Sequence, residues 1–149
     1  MKRLILWSLV FVIGITACEG PAGRDGRDVE RFVEEFVVYS EHWIQGEEEG
    51  DEYFFKYWEF EFSVPQITND VLTRGTVNCY LIQEITLNGR TSIVQRPLPY
   101  TIYGIGDEGP YSENYSFEIR RGNIKFIVKY SDFEDIQPLH CTFRVVLIW

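Results

Sequence analysis

Apolar and polar residues alternate in short runs from about Val33 to the end of the chain, and a period of two marks half-buried strands. The clearest pair lies near the C-terminus. Tyr115, Phe117 and Ile119 point one way, and Asn114, Ser116, Glu118 and Arg120 the other. Gly122-Asn123 then predicts a tight turn, after which Ile124, Phe126, Val128 and Tyr130 resume the apolar face with Lys125 and Lys129 opposite, as a β-hairpin requires. Over residues 53–64, Trp58, Phe60, Phe62 and Val64 share a face against Tyr57, Glu59 and Glu61. Val77, Cys79 and Leu81 begin a strand that also carries Tyr80 and Ile82, so both its faces are apolar and it belongs inside a sheet. Residues 141–149 have the same double-sided character. Strands around residues 34–39 and 93–105 bring the total to about seven, with Pro97 and Pro99 pointing to an edge or a bulge in the latter. The pattern breaks at residues 65–75. There Thr68 is placed to cap a helical turn, Asn69-Asp70-Val71-Leu72, and Gly75 to end it. Together these elements predict an all-β fold, an immunoglobulin-like antiparallel β-sandwich over residues 32–149 without the Cys and Trp spacing of antibody domains.

The first residues are of another kind. Lys2 and Arg3 precede a run of about a dozen apolar residues beginning at Leu4, which is the layout of an export signal and too short to span a bilayer, where about 20 are needed. The run ends in Ile15-Thr16-Ala17-Cys18, which resembles the lipobox of bacterial lipoproteins: an aliphatic residue, two small ones, then cysteine. The resemblance implies that residues 1–17 are a signal peptide cut before Cys18, and that Cys18 carries a diacylglycerol thioether with its amine acylated too. Several acyl chains anchor firmly, because stable attachment takes more than one membrane signal. In that family an aspartate after the cysteine retains the protein in the inner membrane. Glu19 stands here instead, so the resemblance implies the outer membrane, facing either the periplasm or the surface.

Residues 18–31 read as a tether. Gly20-Pro21-Ala22, Gly23-Arg24-Asp25 and Gly26-Arg27-Asp28 are consecutive collagen-type triplets. So few triplets predict a solvated spacer; a trimerising stub is the sharper alternative. A lipobox, collagen-type triplets, a strand, then Val64-Pro65-Gln66-Ile67-Thr68, Val71-Leu72, Gly75-Thr76-Val77 and the closing Thr142-Phe143-Arg144-Val145-Val146-Leu147-Ile148 together resemble a set of small lipoproteins of the Bacteroidota. That resemblance implies a β-sandwich and brings no activity or site residues with it.

Charge narrows the partners. Loss of Lys2 and Arg3 with the signal peptide takes the 14 cations to 12 against 23 anions, a net charge of −11. Such a chain repels nucleic acid and anionic lipid surfaces. With 45% hydrophobic and 16% aromatic residues it has the material for a core and no signature of disorder.

Candidate chemistry is sparse. Cys79 and Cys141 lie on expected strands in a compartment that permits disulfides. Either they are bridged, which the chain-entropy account values at roughly 4 kcal/mol, or they are buried thiols acting as small apolar groups. His42 and His140 are the only histidines, and His140 points away from its neighbour Cys141 on a strand, which disfavours zinc. The acidic stretches Glu47-Glu48-Glu49-Gly50-Asp51-Glu52, Asp107-Glu108 and Asp132-Phe133-Glu134-Asp135 lack the alternating spacing of a calcium loop. No metal and no cofactor is expected. Tyr53, Phe55 and Tyr57 share one strand face, either as an exposed platform for sugar rings or protein, or covered by a neighbouring segment. There is no serine elbow, phosphate loop or zincin helix. The expected function is a non-catalytic binding or structural module held to the membrane through Cys18, with glycan or an envelope protein as ligand. Exposed aromatics would favour glycan, and an apolar free sheet edge a protein. The rival, an envelope polysaccharide hydrolase, needs two carboxylates converging at roughly 5–9 Å in a cleft.

Overall fold

The computed structural model describes residues 29–49, 54–106, 109–131 and 136–149. The expected signal peptide, Cys18 and the glycine triplets lie outside the described residues. Nine strands among them form two antiparallel sheets packed as a sandwich. The strands are β1 (Arg31–Val38), β2 (Ile44–Glu49), β3 (Phe54–Ser63), β4 (Thr76–Leu87), β5 (Arg90–Pro97), β6 (Tyr100–Gly106), β7 (Gly109–Arg120), β8 (Asn123–Tyr130) and β9 (Cys141–Ile148). One sheet has the order β1-β9-β4-β5 and the other β2-β3-β8-β7-β6. The two doubly apolar runs are both interior: β4 pairs with β5 and β9, and β9 with β1 and β4.

The count exceeds seven because β2, where no strand was expected, pairs with β3, and because the run over residues 93–105 divides in two. A hairpin closes where Leu87 pairs with Arg90 across Asn88-Gly89, whose φ angles of +52° and +73° are those of a type I′ turn. The run over residues 93–105 is two strands in different sheets. The chain passes from one to the other at Leu98-Pro99, so β5 and β6 are both edge strands, where prolines are tolerated. The turn placed at Gly122-Asn123 is shifted by one residue. Arg120 pairs with Asn123, leaving Arg121 and Gly122 as the loop, with Gly122 at φ +78°. The helix α1 (Asn69–Arg74) is capped by the Thr68 hydroxyl, which accepts from Val71 N–H at 3.3 Å, and ends at Gly75.

Alternation decides which side chains meet between the sheets. Val38, Cys79, Leu81, Phe143, Val145 and Leu147 come from one, and Ile124, Phe126, Val128 and Tyr115 from the other, all buried. Rings join the layers. Phe126 and Phe143 lie nearly parallel with centroids 4.0 Å apart, Phe36 meets Phe62 at 4.8 Å, and Trp43 meets Phe143 edge-on at 6.4 Å. Trp43 also donates its indole N–H to the Leu139 carbonyl, tying the β1–β2 and β8–β9 connections together.

The two ends of the sandwich differ. At one end Glu30 and Trp149 exchange main-chain hydrogen bonds of 3.0 and 3.1 Å, beside α1 and the β7–β8 turn. The β4–β5 turn and the C-terminal ends of β2, β6 and β8 lie at the opposite end, as the strand registers require.

Because Phe143 is fully buried at the contact between layers, Phe143→Ala should lower unfolding free energy by about 3–5 kcal/mol. Leu87→Ala, at a side chain 66% exposed, should leave it unchanged within about 0.5 kcal/mol. Urea unfolding of the two variants side by side checks this.

Candidate functional site

The cysteines come first, as the most reactive side chains. Cys79 is opposite Val145 in the β4–β9 ladder, while Thr142 is opposite Ile82, so Cys79 and Cys141 are offset by four residues of register. Four strand residues span about 13 Å, and a disulfide needs Cα atoms within about 7 Å. Of the two readings left open by the sequence, the register and separation fit the second: both are free, buried thiols. Burial pushes each thiol up to about 12, with Glu113 adding to the rise at Cys141. A protonated thiol is a poor nucleophile, so these two behave as small apolar groups.

The aromatic face is only partly in view. Tyr53 and the side chain of Phe55 lie outside the described residues. Tyr57 is half-buried on the outer face of the five-stranded sheet. It faces Gly46 of β2, where a Cβ would fall 2.5 Å from the tyrosine Cζ, so its ring lies over the glycine. The Lys129 ammonium sits 5.4 Å from the centroid. Tyr111 covers Gly104 of β6 in the same way. In both edge strands a cross-strand tyrosine fills the gap left by a glycine, a structural use of the ring.

Beside Tyr57 the outer face carries a ladder of charge. Lys125 lies 3.0 Å from both Glu59 and Glu118, and Arg120 holds both oxygens of Glu61 at 2.7 and 2.9 Å. Hydrogen bonding to Glu59 and then to Glu118 pushes the Lys125 ammonium up to about 12. Glu59 and Glu118 thus come within about 6 Å of each other, since each is 3.0 Å from one nitrogen. That spacing suits paired-carboxylate hydrolysis, but Lys125 fills the space between the two acids. The adjoining hollow, lined by Glu61, Glu118, Ile119, Arg120 and Lys125, has a volume of about 90 Å³, against the roughly 300–1,000 Å³ of small-molecule sites.

A second polar group lies between the sheets. Arg96 of β5 stacks on Tyr100 at 4.7 Å and donates its Nε–H to Gln83 at 2.7 Å. Across from it the Tyr115 hydroxyl donates to Glu113 at 2.7 Å, and burial, followed by that bond, raises the Tyr115 phenol far above its ordinary value. His42 stacks on Phe60 at 5.7 Å, and His140 is exposed. Among the described residues no three His, Cys, Asp or Glu side chains are grouped to hold a metal ion. Asp107-Glu108 and residues 132–135 lie outside the described residues.

No protein-family model matches the chain, and no curated protein or solved structure is similar to it.

Pro97 and Pro99 point to an edge or a bulge over residues 93–105, but the sequence pattern does not single out the exposed apolar side chains on it. Tyr103 and Ile105 of β6 are 82% and 88% exposed, and Ile93 of β5 is 74% exposed. A signal was present. Residues 97–106 contain no charged side chain, in a chain that is 25% charged.

Alkaline titration checks the thiols. An unfolded thiol releases its proton near 9, whereas the folded ones hold theirs to about 12, and Lys125 likewise holds its proton from 10.5 to about 12. The folded state binds more protons over this window, so stability is full below pH 9 and declines as pH rises toward 12. The denaturation midpoint should fall across that range, and more gently in a Cys79→Ala, Cys141→Ala double variant.

Proposed function

We propose that the chain is a membrane-anchored lipoprotein of the bacterial outer membrane, lipidated on Cys18, whose β-sandwich is a non-catalytic binding or structural module for a protein partner. The basic and apolar leader ending in Ile15-Thr16-Ala17-Cys18 supports the address. The Bacteroidota-type resemblance supports the same layout of lipid, tether and sandwich.

The observation that carries the module is the polarity of the fold. β1 begins beside Trp149, at the end where residues leading from Cys18 must join the domain, and β1, β2, β4, β6 and β8 all run toward the opposite end. A chain entry at one end, with the β4–β5 turn at the other, supports a displayed recognition domain. A protein ligand is favoured over glycan by where the exposed apolar groups lie. Ile93, Tyr103 and Ile105 are on the free edge strands β5 and β6, where backbone groups are open to a further strand. The half-buried Tyr57, committed to Gly46, is a poor platform for a sugar ring. The paired-carboxylate alternative is weakened by Lys125 standing between Glu59 and Glu118.

Metabolic labelling with a clickable fatty acid tests the address. The wild-type chain should take up label and sediment with membranes, and Cys18→Ser should lose the label and leave the membrane pellet. A mature wild-type chain without label would reject the lipoprotein.

A further inference from the structure

The sandwich has four edge strands, and three carry the devices that keep sheet edges apart. β1 bears Arg31, Glu34 and Glu35; β2 bears Glu47, Glu48 and Glu49; β5 bears Arg90, Arg96 and a terminal Pro97. Charge and proline on an edge oppose pairing with another chain. β6, Tyr-Thr-Ile-Tyr-Gly-Ile-Gly, has neither. Its outer face presents Tyr103 and Ile105 almost fully to solvent, and its free side leaves alternate N–H and C=O groups pointing outward. An exposed, uncharged, apolar edge is a template for a further strand.

We propose that β6 is a homodimer edge, pairing antiparallel with β6 of a second copy to make one continuous ten-stranded sheet from two five-stranded ones. This deepens the binding-module reading by naming its partner.

Charge selects the partner. The chain carries a net charge of −9, so two copies repel wherever their charged surfaces meet. Self-pairing through β1 about its centre would set Glu34 and Glu35 against the same two residues of the second copy, and self-pairing through β2 would gather six glutamates onto two adjacent strands. Self-pairing through β6 sets neutral residues against neutral ones, and the adjoining outer-face positions of β7, Ser112, Asn114 and Ser116, are neutral too.

The residues are also self-complementary in register. A two-fold axis through Tyr103, the middle of the strand, pairs all seven residues. On one face it puts Tyr103 against Tyr103 of the second copy, flanked by Thr101 against Ile105. On the other face it puts Tyr100 against Gly106, and Ile102 against Gly104, over which Tyr111 of the same copy lies. Cross-strand pairs of aromatic and β-branched residues are the stabilising unit of a sheet.

A cysteine at the two-fold position tests this in the full-length chain within its own envelope. Mild oxidation of Tyr103→Cys should give a disulfide-linked species of doubled mass on a non-reducing gel. Ser112→Cys, two strands further from its counterpart, should give none. Adding Ile105→Lys to Tyr103→Cys should cut the cross-linked fraction about tenfold. Doubled mass with Ser112→Cys as readily as with Tyr103→Cys would overturn the pairing, and so would a Tyr103→Cys adduct of any other mass or no adduct at all. Dimers of the parent chain would instead report an unlipidated Cys18, a failure of the lipoprotein reading. Repeating the series on a Cys18→Ser background then tests the edge alone.

Discussion

The contact between Phe126 and Phe143 is what the rest of the structure depends on. Each ring comes from an interior strand of its own sheet, β8 in one and β9 in the other, and both are fully buried. Two sheets pack about 10 Å apart, and side chains from both layers must interdigitate to fill that gap. The stacked pair does so at the centre, and Trp43, Phe62 and Phe36 extend the aromatic seam toward the β1–β2 side. Cys79 and Cys141 lie in the same core as small apolar groups. The sandwich is therefore held by ring packing between layers, with no covalent staple between those two residues.

A core of this kind leaves four sheet edges to be managed, and the chain does so with local chemistry. Glycines 46 and 104 sit on the edge strands β2 and β6, where a cross-strand tyrosine covers each. Acidic residues guard β1 and β2, and arginine with proline guards β5. The strand left without such protection is also the one whose large side chains project furthest into solvent. Stability and interaction thus separate spatially: the rings between the sheets hold the fold, and the unguarded edge offers the surface.

The outer faces show the same economy. Glu59, Glu61 and Glu118 are each met by a cation, and Arg144 meets Glu35 on the other sheet. Exposed pairs of this sort contribute at most about 1 kcal/mol each; their main effect is to keep acidic side chains apart within the sheet surface of a strongly acidic chain. The same pairing takes these carboxylates away from the bare geometry that glycoside hydrolysis would require.

Much of the fold was legible in the chain. Period-two alternation identified the β7–β8 hairpin, and doubly apolar runs marked β4 and β9 as interior, because a strand flanked on both sides has both faces covered. Thr68 and Gly75 bounded α1, because their backbone chemistry is local. The proposed export leader and lipidation at Cys18 likewise rest on sequence alone. Tertiary structure decided the rest. Pro97 and Pro99 announced an irregularity, but only the pairing partners reveal that the chain changes sheets there and so creates two edges. The separation of Cys79 from Cys141 depends on the register of β4 against β9, which alternation does not specify. The half-burial of Tyr57 depends on a glycine in the neighbouring strand, and the exposure of Tyr103 and Ile105 on having no neighbour. Local periodicity reports which residues share a face; which strand lies beside which is a long-range choice, and it determines whether a face or an edge is buried or free.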